Sequence, residues 1–345
     1  MLQALFVGEW SWMRYLIPCV EQLDRAAEEL RSSNPVNSRL ALILTDNVVE
    51  LVCHRRCEEI INRDGGRSWL DQPKYRHGER RKVLGRHFDR KVKFLRMESL
   101  LSEAELEFLL VAHKYRNEAY HIGLRDDSII WSVSWNYHLL ACELFGRLKP
   151  GWMGTGSDDP YTERVNKHLK KQSLGERRLF FPDIEKLAES IDQERPVSDI
   201  SLSEVLSEAL VQEIDELDSQ MQFLVNDNPN KLDSDEILRS VQQWDEFTRK
   251  MEEAGLFPSD QGYQSHATQV SERLKREWTP KHDHIPFESW RRRANAISLE
   301  KSPLKALKKF DDVRTSKEYL SEVIGEAALE LDAHIQMEID RIRRK

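Results

Sequence analysis

The chain has 345 residues, 39% of them hydrophobic and 32% charged, with 14 glycines and a formal net charge of −8. That length can bury a sizeable core in two domains, and the low glycine content favours helix over sheet. The four cysteines (Cys19, Cys53, Cys57 and Cys142) are too scattered for a disulfide framework, and no apolar run is long enough to span a bilayer.

The apolar N-terminal stretch lacks a basic start and is interrupted by Glu9 and Arg14, so it reads as helix rather than signal peptide, in a cytoplasmic protein without membrane partners. Residues 9–31 predict an amphipathic helix carrying Trp10, Trp12, Leu16, Val20, Leu23 and Leu30, ending near Ser32-Ser33-Asn34-Pro35. A second helix is expected from Asn37 or Ser38 to Asp64-Gly65-Gly66. Its middle is apolar nearly all round and therefore central. Within that apolar stretch lie Asp46, Asn47 and Glu50. A carboxylate placed there needs a partner, because an unpaired buried charge costs several kcal/mol. Cys53 and Cys57, four apart on the same helix, read as packing residues rather than metal ligands.

Between Lys74 and Arg96 ten Lys or Arg stand against Glu79 and Asp89, so this stretch is +8 while the rest of the chain sums to −16. A local basic patch of this kind suits a polyanion. Its candidate RNA-binding residues are Arg80, Arg81, Lys82, Arg86, Arg90, Lys91 and Lys93. The alternative is an ordinary solvated face.

Ser102 and Glu105 form an S-x-x-E capping box ahead of a helix predicted over 103–122, with Gly123 as its C-cap. Phe108, Val111, Tyr115 and Ile122 share one arc of this helix, and His113, Arg116, Asn117, Tyr120 and His121 gather on the opposite side. Arg, Asn, Tyr and His on one face bring phosphate-binding and proton-transfer groups together. A further apolar helix is expected from Ile129 to about Arg147. Residues 151–200 read as a linker or irregular arm. From 201 to 345 the chain predicts a second helical domain, with helices at 203–223, 235–254 and 316–345. Residues 1–150 form the first domain, its core over about 36–150.

The buried helix LILTDNVVEL followed by a helix carrying RNEAYH resembles the HEPN superfamily, whose signature is Arg, a polar residue, three to five further residues, then His. The resemblance implies an all-α antiparallel bundle that homodimerises so that two R-N-x-x-x-H motifs face each other. It also implies metal-independent endoribonuclease activity, often in toxins or antiviral effectors with an antitoxin or defence-system partner protein. It assigns catalysis to Arg116, Asn117 and His121. The supporting set Glu50, Asp46, Asn47, His113 and Tyr120 comes from the residues themselves, and no metal or cofactor is expected.

The chemistry is consistent with that assignment. Attack of a 2′-OH on the adjacent phosphate needs a proton carrier near neutral pH, which His121 can be, and a cation on the phosphorane oxygens, which Arg116 can be. Asn117 can orient either group. Structural readings stand beside these: Arg116 as an ion-pair partner of Glu50, the expected pairing, or of Asp46; His113 as a satisfied helix histidine; Tyr120 as core filler. A non-catalytic module binding RNA, nucleotides or a protein is the competing function class. The Tyr that a toxin subgroup carries two residues after the His is Gly123 here, which argues against control through that position.

Overall fold

The computed structural model describes residues 12–66, 72–121, 127–149, 162–171, 184–228, 231–255 and 258–343, without the side chains of 12–14, 65–66, 119–121, 127 and 169–171. The protein is all-α: thirteen helices and no strands among the described residues. It divides into two units, 1–205 with 300–308 and 206–299 with 309–345. None of the described helices is long and apolar enough to cross a membrane.

The centre of the first unit is built by α1 (Trp12–Leu30), α2 (Pro35–Gly66) and α6 (Asp127–Arg147), which pack on one another. Along α1 the buried residues Leu16, Cys19, Val20, Leu23, Ala26, Ala27 and Leu30 fall at helical spacing and form one apolar face. α2 is buried along most of its middle, through Ala41, Leu42, Val48, Val49, Val52, Cys53 and Cys57, as its near-continuous apolar run requires. All four cysteines are free and buried.

α2 begins earlier than its apolar pattern does. Asn34 accepts a hydrogen bond from the Asn37 amide at 2.9 Å, and Pro35 sits at the first helical position, where a missing N–H costs nothing. Ser33, with a φ of 49°, makes the left-handed corner between α1 and α2.

Three helices flank this centre: α3 (His77–Val83), α4 (Phe88–Met97) and α5 (Glu103–His121). The capping box at the start of α5 is present: the Ser102 amide donates to Glu105 at 2.6 Å, and the Glu105 amide donates to the Ser102 hydroxyl at 3.3 Å. Phe108, Val111 and Tyr115 are buried as expected, whereas Ile122 and Gly123 lie outside the described residues.

The 151–200 stretch, expected as linker or arm, instead carries α7 (Glu163–Lys171) and α8 (Ile184–Asp192). Both are built into the first unit, α7 against α1 and α8 against α6. The reason is that each short helix has an apolar stripe: Val165 on α7, and Ile184, Leu187 and Ile191 on α8, are at most 1% exposed.

In the second unit α10 (Ser234–Glu253) packs on α11 (Tyr263–Glu277). Ion pairs link its other helices: Arg291 of α12 (Phe287–Ser298) to Asp215 and Asp218 of α9 (Leu202–Asn226), and Lys317 of α13 (Pro303–Arg343) to Glu213 of α9. The terminal helix thus starts at Pro303 rather than Ser316.

Candidate functional site

The site forms where α2 faces α5. Residues 46 and 50 are one turn apart on α2, and 113, 116 and 117 lie three and four apart on α5, so each helix presents one row of polar side chains to the other. Asp46, wholly buried, is the hub. Its Oδ1 accepts a hydrogen bond from the Tyr137 hydroxyl at 2.8 Å, and its Oδ2 lies 3.0 Å from Nδ1 of His113. Nε of Arg116 stands 3.4 Å from the same Oδ2, a charge contact without hydrogen-bond geometry. The two terminal nitrogens of Arg116 are aimed by amides: Nη2 donates to Asn47 Oδ1 at 3.2 Å, and Nη1 to Asn117 Oδ1 at 3.0 Å.

The expected Arg116–Glu50 pair is replaced. Asp46 lies deeper and holds the guanidinium, while Glu50, half-exposed at the rim, meets His113 at 3.5 Å. Burial and the neighbouring Asp46 charge raise the Glu50 pKa against the opposing pull of His113 and Arg116. Burial pushes His113 down, but its bond to Asp46 and the nearby Glu50 outweigh that and raise its pKa overall. His113 therefore favours its charged form between two carboxylates. Tyr137 stays protonated, its pKa driven well up by burial and by Asp46.

Of the predicted site residues, Asp46, Asn47, Glu50, His113, Arg116 and Asn117 are brought together. The backbone of α5 extends to His121, but the side chains of Tyr120 and His121 lie outside the described residues. Tyr137 is not legible from the sequence, because a tyrosine inside the apolar SIIWSVSWNYHLL run reads as packing. Asp46, Glu50 and His113 offer ligand atoms within 4.8 Å of one another and could in principle hold a metal. An ion there would have the Arg116 guanidinium, 3.4 Å from the Asp46 carboxylate, as a neighbouring positive charge.

The basic stretch divides in two. Arg80 is spent in the fold, paired with Asp64 at 2.6 Å and donating to the Tyr75 carbonyl at 2.9 Å. Lys91, also predicted to face RNA, is 6% exposed, with its ammonium bonded to the Gly85 carbonyl. Lys93 is exposed but pairs with Asp89. Arg81, Lys82, Arg86 and Arg90 are exposed and have no ion pair among the described residues. They flank Phe88, whose ring packs 4.5 Å from that of His113. The cationic stretch therefore adjoins the Asp46 cluster.

A second polar network ties α1, α7 and α8. Asp24, 2% exposed, accepts from His168 at 2.8 Å and Lys167 at 2.9 Å and pairs with Arg164; the other nitrogen of His168 lies 3.0 Å from the Ser190 hydroxyl. The order Ser190, His168, Asp24 is that of a nucleophile relay, but all three side chains are buried, which makes it a structural clasp. In the second unit the Gln242 side chain clasps the His282 backbone, donating to its carbonyl at 2.8 Å and accepting from its amide at 3.0 Å.

No protein-family model, curated protein or solved structure matches this chain, so the functional reading rests on the geometry above and on the motif resemblance.

Proposed function

We propose that the first unit is a metal-independent endoribonuclease of the HEPN type. The observation that carries this reading is the aimed guanidinium of Arg116. It is 26% exposed, fixed by Asp46, Asn47 and Asn117, and each of its terminal nitrogens keeps a second N–H for a phosphate oxygen. A pre-oriented guanidinium stabilises developing phosphorane charge without reorganising during the reaction. His121, at the last turn of the same helix, would move the proton between the 2′-OH and the leaving oxygen, helped toward its charged form by the helix C-terminus. Arg81, Lys82, Arg86 and Arg90 would lead the RNA backbone toward the cluster. A homodimer completing the site, a cytoplasmic setting and a toxin or antiviral role with a partner protein belong to the same reading.

The competing reading is a non-catalytic HEPN-type module that binds RNA, nucleotides or a protein. It is favoured by the completeness of the Asp46 network, in which Arg116 is already matched by a buried carboxylate.

The deciding experiment is cleavage of end-labelled total RNA in EDTA by wild type, Arg116→Ala and His121→Ala, each checked for folding. Products ending in 2′,3′-cyclic phosphate from wild type alone support the nuclease. RNA bound but left intact by folded wild type transfers the reading to the binding module.

A further inference from the structure

A third cluster lies in the first unit, built from residues that the proposed nuclease chemistry does not use. His138 and Cys142 stand one turn apart on α6, and Asp192 ends α8. One nitrogen of His138, the thiol of Cys142 and a carboxylate oxygen of Asp192 all lie within 4.8 Å of one another.

The histidine tautomer is set by its surroundings. Nε2 lies 2.9 Å from the Leu23 carbonyl, to which it can only donate, so Nδ1 is the nitrogen that keeps a lone pair; Cys142 Sγ lies 3.8 Å from Nδ1 and 4.0 Å from Nε2. In a tetrahedral zinc site with ordinary bond lengths, ligand sulfur and nitrogen are about 3.6 Å apart. Both oxygens of Asp192 accept from Arg195, Oδ1 from Nε at 2.7 Å and Oδ2 from Nη2 at 3.2 Å, each keeping a further lone pair for an ion, and Arg195 is itself stacked 3.7 Å over Trp135. Ligating histidines that donate to a backbone carbonyl, and ligating carboxylates held by a second hydrogen bond, are the usual support around a metal.

A way in exists. A cavity of about 410 Å3 is lined by Cys142 and Asp192 together with Glu143, Glu185 and Glu189.

We propose that His138 Nδ1, Cys142 Sγ and Asp192 form a binding site for a thiophilic divalent cation of the zinc class, with water from the cavity completing the coordination. The mixed nitrogen, sulfur and oxygen set selects zinc-like ions over magnesium or calcium. On binding, the Cys142 S–H bond breaks, a Cys142 S–metal bond forms and one proton is released to solvent. The ion joins α8 to α6, and through the His138–Leu23 bond to α1, so its effect is on the stability of the first unit.

The test uses the full chain, stripped of metal by dialysis against chelator and titrated with Co2+. The expected result is one equivalent bound with a thiolate-to-cobalt charge-transfer band, bleached when Zn2+ displaces the cobalt. Cys142→Ser and His138→Gln should abolish the band, and Asp192→Asn should weaken cobalt binding by at least about 100-fold. A Cys53→Ala control should leave it intact. Zn2+ at about 100 times its Kd should raise Tm by about 5–10 °C in wild type.

Should Cys142→Ser fail to fold, alkylation of wild type followed by peptide mapping decides instead, with Cys142 expected to be shielded by Zn2+. Absence of a thiolate band in wild type, the same band in Asp192→Asn and wild type at equal affinity, or Cys142 alkylated equally with and without Zn2+ each overturns the site.

Discussion

Nδ1 of His113 lies 3.0 Å from Oδ2 of the wholly buried Asp46 and 3.5 Å from Oε1 of Glu50, so one imidazole is shared by two carboxylates of the facing helix. Burial works against its charge, but Asp46 and Glu50 prevail and its pKa is raised. A raised histidine pKa gives stability that is full below the unfolded value of about 6.5 and is lost as pH climbs through the folded value. Tm of wild type should therefore fall, relative to His113→Gln, as pH rises from about 6.5. Glutamine keeps an N–H for Asp46 but cannot titrate. A wild-type minus variant difference that stays flat from acid to alkaline pH removes His113 from the network.

The role of Arg116 separates from its charge. Lysine keeps one positive charge but cannot face Asp46, Asn47, Asn117 and a phosphate at once. Arg116→Lys should retain most of the fold and lower RNA cleavage by about 100-fold or more, the scale seen when one pre-organised donor to a developing anion is removed. Single-turnover cleavage rates measured beside circular dichroism test it. Cleavage by Arg116→Lys within twofold of wild type would reduce Arg116 to a structural ion pair.

The legibility of this site follows sequence separation. The Ser102–Glu105 box and the apolar arc of α5 depend on neighbours three and four residues apart, and both are readable. The choice of Asp46 over Glu50 as the partner of Arg116 depends on which turn of α2 lies deeper, and burial depth is a tertiary property. A count of charges also treats Lys91 like Arg90, although one ammonium is turned inward to the Gly85 carbonyl and the other side chain is exposed. The helices at 163–171 and 184–192 escape a sequence reading because each is short, lies among turn-rich residues, and is secured by packing on α1 and α6 rather than by strong local signals.

That inward and outward division of the basic stretch has a measurable consequence. Removing one cation from a phosphate lowers the slope of log affinity against log salt by about 0.7 for a single strand. Arg81→Gln, Lys82→Gln, Arg86→Gln and Arg90→Gln should each weaken RNA binding and reduce that slope, with little change in Tm. Arg80→Gln should do the reverse. It breaks the pair with Asp64 and the bond to the Tyr75 carbonyl, so Tm should drop by a few degrees while the slope stays unchanged. Filter binding across a salt series and thermal melts distinguish the two sets, and equal salt slopes for all five variants and wild type would exclude RNA binding by this stretch.

Asp24 offers the sharpest test of how the short helices are held. Burial alone would raise its pKa, but bonds from His168, Lys167 and Arg164 outweigh this and hold the carboxyl well below the usual range. A depressed carboxylate pKa stabilises the fold above the unfolded value of about 3.9, and the contribution is lost as pH falls toward the folded value. Asp24→Asn keeps the shape but leaves three cationic or donor groups of α7 facing a neutral amide. Removing one partner of a buried ion pair costs about 3–5 kcal/mol, equivalent here to a Tm lower by roughly 10 °C. Melts should show that gap at neutral pH and its progressive closure below about pH 4, as wild-type Asp24 gains its proton. A gap that stays constant into acid would mean that the variant is weakened by altered packing and that the charge of Asp24 contributes nothing to holding α7 on α1.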